Sequence, residues 1–168
     1  MLLYIIRHAW AEEPGDPAWP DDYQRPLTAE GRKRFRSLVR AISERGFAPE
    51  RLATSPFVRC RQTAEIIRAE VKGNPELTDL DALAPGSDFD QLVHWTARET
   101  ARAQSIAWVG HAPDVGHLAA LLISGHAPPQ IHFSKGAVAA IEFSGKDGPA
   151  RGASGTLLWL VTAKVLGL

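Results

Sequence analysis

The sequence has almost no cysteine and no recognisable set of metal ligands. Cys60 is the only cysteine among 168 residues, so an intramolecular disulfide is impossible and a cysteine-rich metal site is excluded. Motifs such as His-x-His and HExxH, and aspartate-rich clusters, are also absent, which argues against a metal-dependent hydrolase. We therefore expect no metal, no other cofactor, and a reducing, cytoplasmic environment.

An excess of one charge and long apolar runs are also missing. Lys plus Arg and Asp plus Glu both number 19, so composition gives no reason to expect binding to nucleic acid or to a membrane surface. Even the apolar C-terminal stretch LLWLVTAKVLGL contains Lys164, so no membrane span is expected. The apolar N-terminal run has no preceding basic residues and ends at Arg7, which favours a first strand over a signal peptide. Any anion site must therefore be built locally.

The sequence does contain a regular alternation of helical and strand patterns. Apolar residues recur at helical spacing in residues 35–42, 64–71, 89–96 and 115–122, and the short apolar runs between them are typical of strands: LLYII, RLATS, SIAWVG, GAVAAIEF and TLLWLVT. A further short strand is possible near residues 76–80. We predict one domain over residues 1–168, a three-layer α/β/α fold. Its mostly parallel central sheet carries helices on both faces, and its last two strands pair antiparallel around a loop at 144–155.

Positively charged and imidazole side chains follow three of the predicted strands. The first strand ends at Arg7 and His8, SIAWVG ends at His111, and RLATS leads into a helix with Arg59 in its first turn. The carboxyl ends of parallel strands form the ligand-binding edge of such sheets. Guanidinium groups match phosphate oxygens, and a neutral imidazole can attack phosphorus. The sequence therefore predicts phosphoryl transfer to a histidine.

Four motifs resemble those of the histidine phosphatase superfamily, whose fold is phosphoglycerate mutase-like. They are RHA at 7–9, RPLTAEG at 25–31, SPFVRCRQTAE at 55–65 and GHAP at 110–113. The small size, the early RPLT and LAPGSD at 83–88 are most similar to the SixA-type phosphohistidine phosphatases. The resemblance implies a metal-independent enzyme that forms a phosphohistidine intermediate and dephosphorylates a phosphotransfer protein in signalling.

The resemblance also implies roles for individual residues. His8 matches the histidine that accepts the phosphoryl group, and His111 matches the second histidine of the pocket. Arg7 and Arg59 match phosphate-binding arginines, and Arg25 matches an arginine that faces the phosphate in SixA-type members. For Arg25 the alternative is a surface arginine paired with a neighbouring aspartate, Asp21 or Asp22.

The sequence departs from the wider superfamily at two places. Ala9 replaces a glycine, a small change if the backbone φ there is negative. No carboxylate clearly matches the general acid of the wider family, for which Asp79, Asp81 and Asp88 are the nearest candidates. A phosphohistidine substrate needs less acid assistance, because imidazole is a better leaving group than an alkoxide.

Several alternatives stay open. The pocket could instead serve a small phosphomonoester or diphosphate, or a module that binds phosphate without turnover. We interpret Ser55 as a helix cap rather than a pocket hydroxyl, Lys135 as solvated, and Cys60 as a buried apolar side chain. We interpret the remaining histidines as structural or exposed: His94, His117, His126 and His132.

Overall fold

A six-stranded mixed β-sheet lies at the centre of the computed structural model, which describes residues 1–125, 131–144, 148–149 and 155–168. The strands are β1 (Leu2–Arg7), β2 (Arg51–Thr54), β3 (Glu76–Asp79), β4 (Ser105–Gly110), β5 (Val138–Glu142) and β6 (Thr156–Val161), in the spatial order β3-β2-β4-β1-β5-β6. The first four run parallel, and β5 pairs antiparallel with both β1 and β6. The predicted extra strand and the predicted final hairpin are both confirmed.

Four helices connect these strands, as the apolar periodicity predicts. They are α1 (Ala29–Ser43), α2 (Val58–Glu70), α3 (Phe89–Glu99) and α4 (Asp114–Ser124). The side chains of Thr28 and Asp88 accept backbone N–H groups at the start of α1 and α3, which satisfies donors that a helix leaves unpaired. No helix in the described ranges combines the length and hydropathy needed to cross a membrane.

The sheet has an apolar layer on each face. Alternate residues of β1 point in opposite directions: Tyr4 and Ile6 belong to one buried cluster, with side chains of α1 and α2, whereas Leu3 and Ile5 belong to the other, with side chains of α3 and α4. Helices therefore cover both faces, and the predicted three-layer α/β/α architecture is confirmed.

Two segments differ from simple strand or helix patterns near the ligand-binding edge. The run GAVAAIEF begins as a turn rather than a strand, because Gly136 has a φ of +72° and β5 starts only at Val138. The proline-rich segment after β1 is a long loop that contains one short 3₁₀ helix at Asp22–Gln24. Most of the predicted loop at 144–155, and His126, fall outside the described residues.

Candidate active site

The backbone of three parallel strands brings the predicted site residues to one edge of the sheet. Arg7 lies opposite Gly110 in the parallel pairing of β1 with β4, and the His8 N–H donates to the Gly110 carbonyl at 3.0 Å. The Ser55 N–H donates to the Val109 carbonyl at 2.9 Å. These ladder bonds hold the residues that end β1, β2 and β4 side by side.

His8 is buried at this edge of the sheet, and its ring is held in one orientation. Its side chain is buried, and Nδ1 lies 2.8 Å from the carbonyl oxygen of Ala9. A carbonyl only accepts hydrogen bonds, so Nδ1 carries the proton and Nε2 carries the free lone pair. Burial is the main cause that lowers the pKa of His8 to about 3, and the charges of Arg59 and Arg7 act in the same direction. The imidazole is therefore neutral near pH 7.

The departure from glycine at position 9 is accommodated without strain. Ala9 is not among the residues with positive φ, so its methyl group does not have to be accommodated in a left-handed backbone conformation. The Ala9 N–H donates to Thr63 Oγ1 at 3.0 Å, and Thr63 in turn donates to the Arg59 carbonyl. Helix α2 thus holds the backbone that orients the His8 ring.

His111 faces His8 and is held through both ring nitrogens. The two ring centroids are 5.4 Å apart. Arg59 Nη2 donates to His111 Nδ1 at 3.2 Å, and His111 Nε2 lies 2.8 Å from Ser55 Oγ. Because a guanidinium only donates, the proton of neutral His111 lies on Nε2. Burial, followed by the charge of Arg59, lowers the pKa of His111 to about 3.

Ser55 contacts a histidine of the site from behind the cavity, a role that the sequence interpretation missed. We expected it to cap α2, but the residue at the start of that helix is Phe57, whose N–H lies 3.4 Å from Ser55 Oγ. The shorter contact of the hydroxyl is with His111. A serine just before a helix predicts a helix cap from local sequence alone. Its contact with the His111 ring can be seen only in the tertiary structure.

One carboxylate joins two of the predicted phosphate-binding arginines. Asp22 Oδ1 accepts from Arg25 Nε at 2.7 Å, and Oδ2 lies 3.0 Å from Arg59 Nη2. Although burial alone would raise it, the hydrogen bond from Arg25 and the charges of Arg59 and Arg25 lower the pKa of the Asp22 carboxyl. Arg25 thus pairs with Asp22, as the alternative interpretation expected, but it is buried rather than at the surface and lines the cavity described below.

Arg7 has no such anion beside it. Its Nη1 donates to the Phe133 carbonyl at 2.8 Å, and its Nε is buried without a hydrogen-bond partner. No carboxylate in the described part of the chain forms an ion pair with it. A partly buried guanidinium without a counter-ion is costly, and an anionic ligand would lower that cost.

These side chains line a cavity of about 370 Å³ at the sheet edge. Its wall includes all five predicted site residues: Arg7, His8, Arg25, Arg59 and His111. Lys135, which we expected to be solvated, and two carboxylates, Glu13 and Asp114, also line it. The arrangement can hold an anion of phosphate size against a neutral imidazole nitrogen.

The three acidic residues considered as general acids lie elsewhere. Asp79 pairs with Arg61, Asp88 caps α3, and Asp81 is exposed. None of them lines the cavity. Cys60 is buried as expected, and burial raises the pKa of its thiol to about 12, which keeps the sulfur protonated. Its Sγ lies 3.4 Å from His111 Nε2 and packs behind that ring.

The lowered pKa values of His8 and His111 predict a pH dependence of stability. The unfolded chain takes up these two protons near pH 6.5, whereas the folded chain takes them up only near pH 3. Acidification through this interval therefore favours unfolding, by up to about 1.4 kcal/mol per pH unit for each histidine.

Urea unfolding at several pH values tests this prediction. A His8→Gln/His111→Gln double variant removes both groups, so its free energy of unfolding should fall less steeply between pH 6.5 and 3 than that of the wild type. Carboxylates contribute equally to both proteins and cancel in the comparison. Parallel curves for the two proteins would contradict the buried, neutral state of the histidines.

Comparison with known proteins gives the same assignment of fold and family. Residues 3–117 match the sequence profile of histidine phosphatase superfamily, branch 1. The chain is 29% identical over 144 residues to phosphohistidine phosphatase SixA of Escherichia coli (strain K12), covering 84% of each protein.

Solved structures of known phosphatases have the same fold as this chain. A protein histidine phosphatase SixA complexed with tungstate superposes with a TM-score of 0.82 at 26% identity, covering 99% of both chains. The α-ribazole phosphatase of Shigella flexneri shares the fold, with a TM-score of 0.66, 18% identity and 97% coverage of both chains. The profile match spans most of the chain and includes both histidines and all three arginines that line the cavity. On this evidence the chain belongs to the histidine phosphatase superfamily.

Proposed function

We propose that this protein is a phosphatase that uses His8 as its nucleophile and that its substrate is phosphohistidine on a phosphotransfer protein. The observation that carries the proposal is the state of the His8 ring. It is neutral, its Nδ1 is fixed by the Ala9 carbonyl, and its Nε2 is free in a cavity lined by arginines. Attack on phosphorus requires this combination.

In the first step His8 Nε2 forms a bond to phosphorus while the bond to the leaving group breaks. The leaving group takes the bonding electron pair, and Arg7, Arg25 and Arg59 balance the charge on the three equatorial oxygens. Arg7 contributes a guanidinium that has no carboxylate partner in the described residues, and Arg59 is held in place by the carbonyl and carboxylate of Asp22. The arginines are therefore positioned before the substrate arrives.

His111 assists when the phosphoryl group is bound. Its Nδ1 accepts from Arg59. The negative charge of a bound phosphoryl group favours the protonated imidazole, so Nδ1 gives up this contact and takes up a proton from solvent. Ser55 then accepts from Nε2, which leaves the proton on Nδ1 free to be donated to a phosphoryl oxygen. In the second step water attacks phosphorus, the electron pair of the P–N bond returns to His8, and inorganic phosphate leaves.

A protein-bound phosphohistidine is favoured as substrate by two considerations. The Escherichia coli relative is named a phosphohistidine phosphatase, and none of the three candidate general acids from the sequence, Asp79, Asp81 and Asp88, lines the cavity. The alternative, a small phosphate ester or diphosphate, is supported by the fold shared with α-ribazole phosphatase. A site that binds phosphate without turnover is the third possibility.

A substrate comparison tests the proposal. The kcat/KM for phosphate release should be at least tenfold higher with a phosphohistidine-containing phosphotransfer domain than with any of a panel of sugar and nucleotide phosphates. We also expect it to persist in the presence of a metal chelator. Preferential turnover of one of the small esters would favour the alternative. Binding of phosphate without turnover of any substrate would identify a non-catalytic module.

A further inference from the structure

Asp114 is a carboxylate that the fold fixes in the wall of the phosphate cavity. It is the first residue of α4, three positions after His111, and its Oδ2 accepts the backbone N–H of Gly86 at 2.8 Å. Both Asp114 and Gly86 line the cavity. The first turn of a helix stabilises a negative charge through its unpaired N–H groups. The backbone therefore fixes the position of this carboxylate.

The other two carboxylates near the cavity differ from Asp114. Asp22 is engaged by Arg25 and Arg59. Glu13 is an exposed residue of the long loop after β1, and its carboxylate has no hydrogen bond or ion pair among the described residues. Asp114 is held by a backbone N–H and forms no ion pair within the described part of the chain, so its charge is available to a ligand.

The direction of the reaction takes the leaving group away from His8, and Asp114 is one of the carboxylates that line the cavity it leaves through. In-line displacement puts the leaving atom opposite the attacking Nε2 of His8. His8 is 7% exposed and forms the floor of the cavity, whereas Asp114 is only half-buried. A leaving group directed away from His8 therefore moves toward the more exposed residues of the cavity, among which Asp114 is the carboxylate held by a backbone N–H.

We propose that Asp114 accepts a hydrogen bond from the ring N–H of a protonated nitrogen heterocycle, so that the cavity selects phosphoryl groups on such a ring over phosphate esters of alcohols. This inference rests on the proposed function, because it names the leaving group of the same reaction. A phosphorylated imidazole carries its phosphoryl group on one ring nitrogen and, when protonated, a proton on the other. The ionised carboxylate favours that protonated form.

The bonds and charges of the step balance without any proton transfer to the leaving atom. His8 Nε2 forms the new P–N bond, and the electron pair of the old P–N bond returns to the substrate ring. The ring leaves as neutral imidazole, still carrying the N–H that Asp114 accepts. An alcohol ester has no such N–H, and its leaving oxygen needs a proton that an ionised carboxylate does not hold.

The variant Asp114→Asn tests this selection with small substrates that need no protein docking. The amide oxygen of asparagine can still accept the Gly86 N–H, so the fold is kept while the charge is removed. We expect the ratio of kcat/KM for phosphoimidazole to kcat/KM for phenyl phosphate to fall by about tenfold, because a charge-assisted hydrogen bond to one substrate is weakened. Asp81→Asn makes the same change outside the cavity and should leave the ratio at the wild-type value.

The outcomes separate this inference from the proposed function. An unchanged ratio in Asp114→Asn would overturn the role of Asp114, while hydrolysis of phosphoimidazole by the wild type would still support the proposed function. If Asp114→Asn loses more kcat/KM with phenyl phosphate than with phosphoimidazole, Asp114 is a general acid and the proposal is overturned. The proposal is also overturned if the ratio falls in Glu13→Gln but not in Asp114→Asn. Failure of the wild type to hydrolyse any nitrogen-linked phosphate would instead contradict the proposed function.

Discussion

His8→Ala should reduce kcat by roughly 10⁴-fold or more, because it removes the atom that attacks phosphorus. The substitution leaves the cationic wall in place, so binding of an inert anion such as tungstate should persist. Phosphate release and tungstate binding, measured on the same preparation, separate loss of the nucleophile from loss of the fold. A pocket that only binds phosphate would show no difference in turnover between the two proteins.

The matched control for this variant is His94→Ala. His94 is an exposed residue of α3, and its Nδ1 contacts the Asp90 carbonyl on the same helix. It does not line the cavity, so turnover should stay within about twofold of the wild type. Substantial turnover in His8→Ala, or a comparable loss in His94→Ala, would contradict the assignment of the nucleophile.

Arg59→Ala should lower kcat/KM by about 10³-fold, which is the scale of an arginine that balances charge in phosphoryl transfer. The guanidinium has three contacts that the variant loses together: the Asp22 carbonyl at 2.7 Å, the Asp22 carboxylate at 3.0 Å and His111 Nδ1 at 3.2 Å. The loss should affect kcat as well as KM, because in the proposed mechanism Arg59 balances charge on the phosphoryl oxygens, and in the structure it contacts His111. Steady-state kinetics with a phosphohistidine substrate measure both parameters.

Arg61→Ala is the control on the same helix. Arg61 lies two residues further along α2, is half-exposed, and pairs with Glu65 and Asp79 outside the cavity. Residues two apart do not share a helical face, and in the structure Arg59 lines the cavity whereas Arg61 does not. Equal losses in the two variants would indicate a general effect of charge on α2 rather than a contact with the phosphoryl group.

The strand ends were the most predictable part of this molecule. Apolar runs followed directly by Arg7-His8 and by His111 reveal the site because parallel strands align their carboxyl ends, so local sequence and sheet geometry together place the two rings. The periodicity of the four helices likewise depends on neighbours within one element. Arg59 could be placed because it lies in the first turn of a helix that follows a strand of the same sheet.

The contacts that long loops make were much less predictable. The prolines after β1 favour a loop over a long helix or strand, but they do not indicate that Asp22 joins Arg25 to Arg59. The contact of Ser55 with His111 depends on the pairing of β2 with β4, which are more than fifty residues apart in sequence. Asp114 gave no signal of its own, since its neighbour Gly86 belongs to a distant loop.

Detection of the phosphorylated enzyme tests the central claim most directly. The wild type is mixed with a phosphohistidine substrate, quenched within milliseconds in alkaline denaturant, in which phosphohistidine survives, and digested for mass spectrometry. We predict one phosphoryl group, on His8, that appears before inorganic phosphate and decays as phosphate is released. Turnover without a phosphorylated enzyme, or with the phosphoryl group on His111 or another residue, would contradict the account.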